Sequence, residues 1–373
     1  ISGIQNKLSD KDIYIEYFLA DKDMYIFSIS KEKSHISKKE IPNSFNSDIN
    51  QFISSIKNKD ENITKSTSKK LYTYLCKSEI ELFKNKEKII INPSEILGKI
   101  PFDILIQDNG KYLIEDYIIS YQHSANHFIK ENKIEKKEIR FCGIAPTYNG
   151  KNYKKLPFAK KEIKAIHEIF QGEIFMEKEA TRKNFISSLY SNSILHLSGH
   201  TELNPNKSLD SKLIFSGEDS TRYLYAHELY NHRIKTPMVT LSACNSGVGE
   251  IKKSEGVLSI SRAFAYAGCP STTTTLWAVS DKPSSDIMAS YYENLKKGQK
   301  KTIALRNAKL DYLKNAPPIM ASPLYWAGFI HIGDDSPIVT DTSMTWFSIL
   351  GIIFVILLLI TIGFIVKKKN QSA

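Results

Sequence analysis

The 373 residues carry 51 Lys and Arg against 40 Asp and Glu, a formal charge of +11, with 42% hydrophobic and 24% charged residues. That length and balance suit a globular chain with one large or two medium domains and real cores. Forty-five of the basic residues are Lys and six are Arg, scattered and often beside acids as in Lys160-Lys-Glu162. The charge therefore reads as a solvated surface, and no nucleic-acid partner is expected, since such sites favour clustered Arg with interleaved aromatics.

The first residue is Ile, so the chain is expected to be a piece of a longer or processed protein, with residues 1–10 the end of an upstream region. Residues 12–19 and 24–30 alternate as two strands of a hairpin. Ile49, Phe52, Ile53 and Ile56 line one face of a helix over 47–56, and a second helix is expected around 69–76. Lys88–Asn92 reads as a short buried strand, followed by a loop with two prolines up to Leu105. Tyr112–Ser120 is expected as a strand and Ala125–Lys130 as a helix.

Residues 131–138 form a charged linker, a candidate sub-domain boundary. Beyond it strands alternate with helices, the pattern of a parallel sheet with crossovers. Strands are expected at 139–144, 193–198, 237–242 and 271–277, with helices at 158–170, 181–189, 255–267, 284–297 and 302–314. Tyr325–Ile332 is expected to close the sheet. A linker at 334–344 then leads to Thr345–Val366, 22 residues without a charge. As a helix that stretch is about 33 Å long at ~1.5 Å per residue, enough to cross a bilayer. Trp346 stands at one rim and Lys367-Lys-Lys369, in the basic tail 367–373, at the other. The flanking charges favour a cytoplasmic C-terminus. Unpaired thiol chemistry argues instead for a reducing compartment around the large domain, so its side of the membrane stays open.

Two strand ends carry the chemistry. Ser193-Ile-Leu-His-Leu-Ser-Gly-His200-Thr201 and Met238-Val-Thr-Leu-Ser-Ala-Cys244-Asn-Ser-Gly247 each run as an apolar strand into small residues. Open α/β sheets bind ligands where strands give out in this way. An imidazole on one end and a thiol on the other suit a cysteine nucleophile and its base. The backbone N–H groups of Cys244 and Thr201 are candidate donors to an oxyanion. His196, deeper in its strand, reads as a core or supporting histidine, and Cys142 and Cys269 read as structural. Cys76, Cys142, Cys244 and Cys269 show neither disulfide nor zinc spacing, so no metal or other cofactor is expected.

With Glu255-Gly256, Arg262-Ala-Phe-Ala-Tyr-Ala-Gly268, Ile100-Pro-Phe-Asp-Ile-Leu105, Glu179-Ala-Thr181, Leu276-Trp-Ala-Val-Ser-Asp281 and Tyr325-Trp-Ala-Gly-Phe, these stretches resemble the CHAT family over about residues 10–333. These are caspase-like clan CD domains, often joined to tetratricopeptide repeats. The resemblance implies an α/β caspase-like fold over 11–333, a mostly parallel sheet flanked by helices. It also implies a His200/Cys244 peptidase dyad acting on a protein substrate, with repeats upstream as regulator or recruiter. Ser242, two before the nucleophile, stands where some relatives carry an acid. Asp210 and Glu255 are candidates for substrate or loop contacts, whereas Asp281 reads as a cap of the following helix. Two readings follow: a membrane-anchored cysteine endopeptidase, or a catalytically silent scaffold of the same fold at the membrane.

Overall fold

The computed structural model describes residues 1–130, 138–148, 153–204, 206–217, 220–242 and 257–339. The strands are β1 (Asp12–Leu19), β2 (Asp23–Ile29), β3 (Ser34–Glu40), β4 (Lys88–Asn92), β5 (Ile118–Tyr121), β6 (Phe141–Pro146), β7 (Gly172–Glu177), β8 (Ile194–Ser198), β9 (Thr201–Glu202), β10 (Lys212–Ile214), β11 (Tyr223–Tyr225), β12 (Met238–Ser242), β13 (Ser271–Thr275) and β14 (Phe329–Gly333). The helices are α1 (Ser2–Lys7), α2 (Phe45–Asn58), α3 (Glu61–Leu75), α4 (Ile80–Phe83), α5 (Leu113–Asp116), α6 (Ala125–Ile129), α7 (Ala159–Ile169), α8 (Arg182–Ser188), α9 (Ala226–Leu229), α10 (Val257–Tyr266), α11 (Asp281–Lys296) and α12 (Lys301–Asn315).

Eleven strands form one sheet in the order β3-β2-β1-β4-β5-β14-β13-β12-β8-β6-β7, and β11-β10-β9 form a small second sheet. The central strands β6, β8 and β12 are parallel and buried at every residue. That explains why they read as continuous apolar runs rather than alternating ones. Their side chains divide between two layers. Phe141, Ile194 and Met238 join the core that holds Ile166 of α7 and Met288 and Tyr292 of α11. Cys142, Ile144, Leu195, Leu197, Val239 and Leu241 pack on the other face with Phe185, Leu229 and Phe264 of α8, α9 and α10.

Some helices begin where a side chain satisfies a free N–H group. Asp60 accepts from the Ile63 N–H at 3.0 Å to start α3, and Thr181 accepts from Asn184 at 3.2 Å to start α8. Asp281 behaves differently from the expectation. It is the first residue of α11, and its Oδ2 accepts from the Phe158 N–H at 2.7 Å, tying the start of α7 to α11.

Two further expectations are corrected. Tyr112–Ser120 is not one strand, because the Glu115 carboxylate accepts from the Tyr112 N–H at 2.8 Å and opens the helical turn α5, leaving only Ile118–Tyr121 extended. β14 does not close an edge; it lies inside the sheet, antiparallel to β13 and parallel to β5. The sheet also holds β3 and β7 at its two edges, neither expected from the sequence. Among the described residues no helix is long and apolar enough to cross a membrane. The 345–366 stretch, like most of the 131–138 linker, lies outside the described residues.

Candidate active site

The winding of the sheet locates the site. From β6 the chain goes outward to β7 at the edge, then returns to place β8 on the opposite side of β6. At such a reversal the connections leave in opposite directions, opening a crevice beyond the carboxyl ends of β6 and β8. Thr147 and Tyr148 follow β6 into this crevice, and Gly199 and His200 follow β8.

His200 is 3% exposed. Its backbone N–H donates to the Tyr148 hydroxyl at 2.8 Å, and that hydroxyl donates onward to the Ile214 carbonyl at 2.9 Å. The imidazole packs against two rings that also touch each other, Tyr148 at 4.5 Å and Tyr153 at 5.8 Å between centroids, with 6.0 Å between the two tyrosines. Nε2 is 2.7 Å from the carbonyl oxygen of Lys154. A carbonyl only accepts, so this contact puts the proton on Nε2 and leaves Nδ1 with a lone pair. Nδ1 is buried and has no hydrogen-bond partner among the described residues. Burial lowers the His200 pKa from its ordinary value, opposed by the Lys154 carbonyl. The neutral imidazole is the form that can take a proton.

Gly199 has a steric reason to be glycine. A Cβ there would sit 2.8 Å from the Tyr148 hydroxyl and 3.3 Å from Pro146. β8 and β12 pair with Ser198 opposite Ser242, and the Gly199 N–H donates to the Ser242 carbonyl at 3.2 Å. His200 and Cys244 therefore each follow one member of a registered pair by two residues. Cys244 and Glu255 lie outside the described residues. Ser242 ends β12 with its hydroxyl buried and without a partner among the described residues.

Thr201 opens β9. Across the Thr201–Leu213 pair the His200 carbonyl accepts from the Ile214 N–H at 3.1 Å. In an antiparallel ladder that pattern turns the Thr201 N–H away from β10. Asp210 lines a cavity of about 590 Å³ on the small sheet, with Glu202, Asn204, Lys212, Tyr225 and His227. Its carboxylate is 3.8 Å from His227 Nδ1. It is thus set beside the strand that follows His200.

His196 does not reach the crevice. It is fully buried between Glu162 at 2.6 Å and the Tyr292 hydroxyl at 2.9 Å, and Tyr292 donates to Thr240 at 2.9 Å. This network ties α7, α11 and β12 to the middle of β8. Cys142 and Cys269 are buried, and burial pushes both thiols up to about 12, as it does Cys76. None of the three is a thiolate at neutral pH. Among the described residues no group of three His, Cys, Asp or Glu is placed to hold a metal.

The Tyr148 and Tyr153 rings, the Lys154 carbonyl, and Arg222, over the Tyr153 ring at 5.1 Å, were not among the residues read from the sequence. They come from separate connections that meet only in the fold. The one signal for Tyr148 was its place just past the end of a buried strand.

One solved structure shares the described fold. The crystal structure of the Saccharomyces cerevisiae separase–securin complex superposes with a TM-score of 0.55 at 10% identity, covering 88% of this chain and 30% of that one. Gingipain R (RgpB), an Arg-specific cysteine proteinase of Porphyromonas gingivalis, aligns at 11% identity with a TM-score of 0.47, covering 75% of this chain and 69% of its own. That score is too low to add to the fold argument. In sequence, tetratricopeptide repeat protein 28 of Mus musculus is 27% identical over 121 residues, 32% of this chain but only 5% of the relative. The sequence profile of the CHAT domain matches residues 65–334, so the chain belongs to the CHAT-domain family, with a caspase-like α/β fold.

Proposed function

We propose that this chain is a cysteine endopeptidase using Cys244 as nucleophile and His200 as base. The observation that carries the reading is the His200 imidazole, two residues past the Ser198–Ser242 pair, with Nε2 committed to the Lys154 carbonyl and Nδ1 without a partner among the described residues. Two residues of chain span at most about 7 Å, so connectivity keeps Cys244 near Ser242 and hence near His200. Nδ1 would take the thiol proton as the thiolate attacks a peptide carbonyl; the imidazolium would then protonate the leaving amine. Water, deprotonated by the same nitrogen, would hydrolyse the thioester. The Thr201 and Cys244 N–H groups would receive the oxyanion. Asp210, and Glu255 beyond the described residues, are the proposed substrate or loop contacts.

The same reading places the enzyme at a membrane through 345–366, whose 22 residues carry no charge, and under the control of tetratricopeptide-type repeats or a repeat-bearing partner. In the test, Cys244→Ala and His200→Ala chains are expected to keep the parent's melting behaviour and lose cleavage of the protein partner. They should lose at least 100-fold, the usual scale for removing a nucleophile or its base. Full cleavage by Cys244→Ala would leave the scaffold reading of the same fold. Release of the chain from membranes by alkaline carbonate would remove the anchoring part alone.

A further inference from the structure

We propose that Arg222 is a positioning residue for catalysis: packed against the rings of Tyr153 and Tyr223, it holds the Tyr153–Lys154 segment on His200, keeping Nε2 bonded to the Lys154 carbonyl and Nδ1 free for the thiol. This rests on the dyad reading and deepens it.

The support is a continuous set of contacts. The Arg222 guanidinium lies 5.1 Å from the Tyr153 ring centroid and 5.0 Å from that of Tyr223. Nη2 donates to the Tyr223 hydroxyl at 2.9 Å and Nη1 to the Gly217 carbonyl at 3.2 Å. Among the described residues it has no carboxylate within ion-pair distance, so the two rings and two oxygens account for its position. A guanidinium can stack on two faces and still donate in its own plane; an ammonium cannot. Tyr153 is held from a second side, its hydroxyl donating to Glu202 at 2.7 Å, and Glu202 pairs with Lys212 at 3.2 Å. Lys212 in turn lies 4.4 Å from the Tyr223 ring. Arg222, just before β11, and Glu202 of β9 therefore hold Tyr153, with Lys212 of β10 steadying Glu202.

Lys154 is the next residue, and among the described residues its carbonyl is the one hydrogen-bond partner of the His200 side chain. No regular secondary structure holds Tyr153 and Lys154. Without the clamp, a neutral imidazole has two tautomers of similar energy, and a proton on Nδ1 blocks the base. The charged and titratable groups that face His200 among the described residues are the Tyr148 and Tyr153 phenols, with Glu202 and Arg222 behind Tyr153.

The test needs no substrate. Iodoacetamide labelling of Cys244 in the full chain is followed by mass spectrometry from pH 5 to 10, and the His200 tautomer is read from imidazole nitrogen NMR shifts, assigned with His200→Ala. Cys76, Cys142 and Cys269 are buried with raised pKa values, so they stay unlabelled. The parent should show the Nε2–H form and rapid labelling near neutral pH. Arg222→Ala should mix the tautomers and slow labelling at pH 6.5 about twofold, as two forms of similar energy require, far short of the 10²–10⁴ expected for losing the base. Arg222→Lys should restore it only in part. Tyr153→Leu, altered outside regular structure, should repeat the Arg222→Ala result and keeps the test open if that chain melts early. Unchanged tautomer and labelling in Arg222→Ala and Tyr153→Leu, with His200→Ala slowed, would overturn the positioning role and leave the dyad standing. Equal labelling of the parent and His200→Ala would overturn both.

Discussion

At the residue scale, the site depends on how closely one backbone passes another. Gly199 gives the Tyr148 hydroxyl room to accept from His200 and donate to Ile214 at once. Gly199→Ala would force that hydroxyl aside and leave the buried His200 N–H without its acceptor. Overpacking and an orphaned donor each cost on the order of 1–3 kcal/mol. We expect Gly199→Ala to lower the unfolding free energy by about 2 kcal/mol or more and to slow Cys244 labelling as well. Denaturant melts and iodoacetamide kinetics check both, and a chain of parental stability would show that Tyr148 yields without strain. His200 itself was legible in the sequence because an apolar strand ends there in small residues. Its partners were not. Tyr148, Tyr153, Lys154 and Arg222 are ordinary loop residues in sequence, and only the crevice at the reversal of strand order brings them to one imidazole.

At the element scale, long apolar runs were readable and short or amphipathic pieces were not. β8 and β12 are buried at every residue, so composition alone marks them. β7 lies at an edge with no fully buried residue, and β9, β10 and β11 have two or three residues each, too few for a period to show. β14 was readable as a strand but not in its place, because pairing partners are set by packing.

That place has a titratable consequence. His331 on β14 is buried, with Nδ1 3.0 Å from the Thr273 hydroxyl and Nε2 2.9 Å from the Asp334 carbonyl. Burial, with Lys301 nearby, brings its pKa down from 6.5 to about 4. The folded value lies below the unfolded one, so the unfolded chain takes up the proton first as pH falls. The stability is fully present above about pH 6.5 and is lost on the way down to about pH 4, amounting to roughly 3 kcal/mol for this one group. His123, held down to about 3 by burial, acts in the same direction. Melts at pH 7.5 and pH 4.5 should show the loss, and His331→Asn should remove part of the slope while His123 keeps the rest. A His331→Asn chain as acid-sensitive as the parent would mean that the imidazole is reached by solvent when protonated.

At the scale of the whole molecule, the charged 131–138 stretch looks in sequence like a joint between two units, yet the sheet runs through from one side of it to the other. β14, from the C-terminal side, pairs with β5, from the N-terminal side, through Ile332 and Tyr121. Around that seam the Gln122 amide donates to the Gly333 carbonyl at 2.9 Å, and Arg306 donates to the Ile114 carbonyl at 2.7 Å. Lys88 pairs with Asp335 at 2.5 Å, and the buried Lys309 and Asp103 pair at 3.2 Å. Asp103 belongs to the Pro-Phe-Asp turn and Lys309 to α12, so separating the halves would expose two facing apolar surfaces and break a buried ion pair together. Removing one partner of such a pair alone costs about 3–5 kcal/mol. We therefore expect a chain carrying a protease site between residues 130 and 138 to stay assembled after cutting. The two pieces should co-elute on size exclusion, melt in one transition, and label Cys244 at the parent's rate. Pieces that part without denaturant would mean that the seam at β14 is weaker than its buried pairing implies, and that the linker holds two units together.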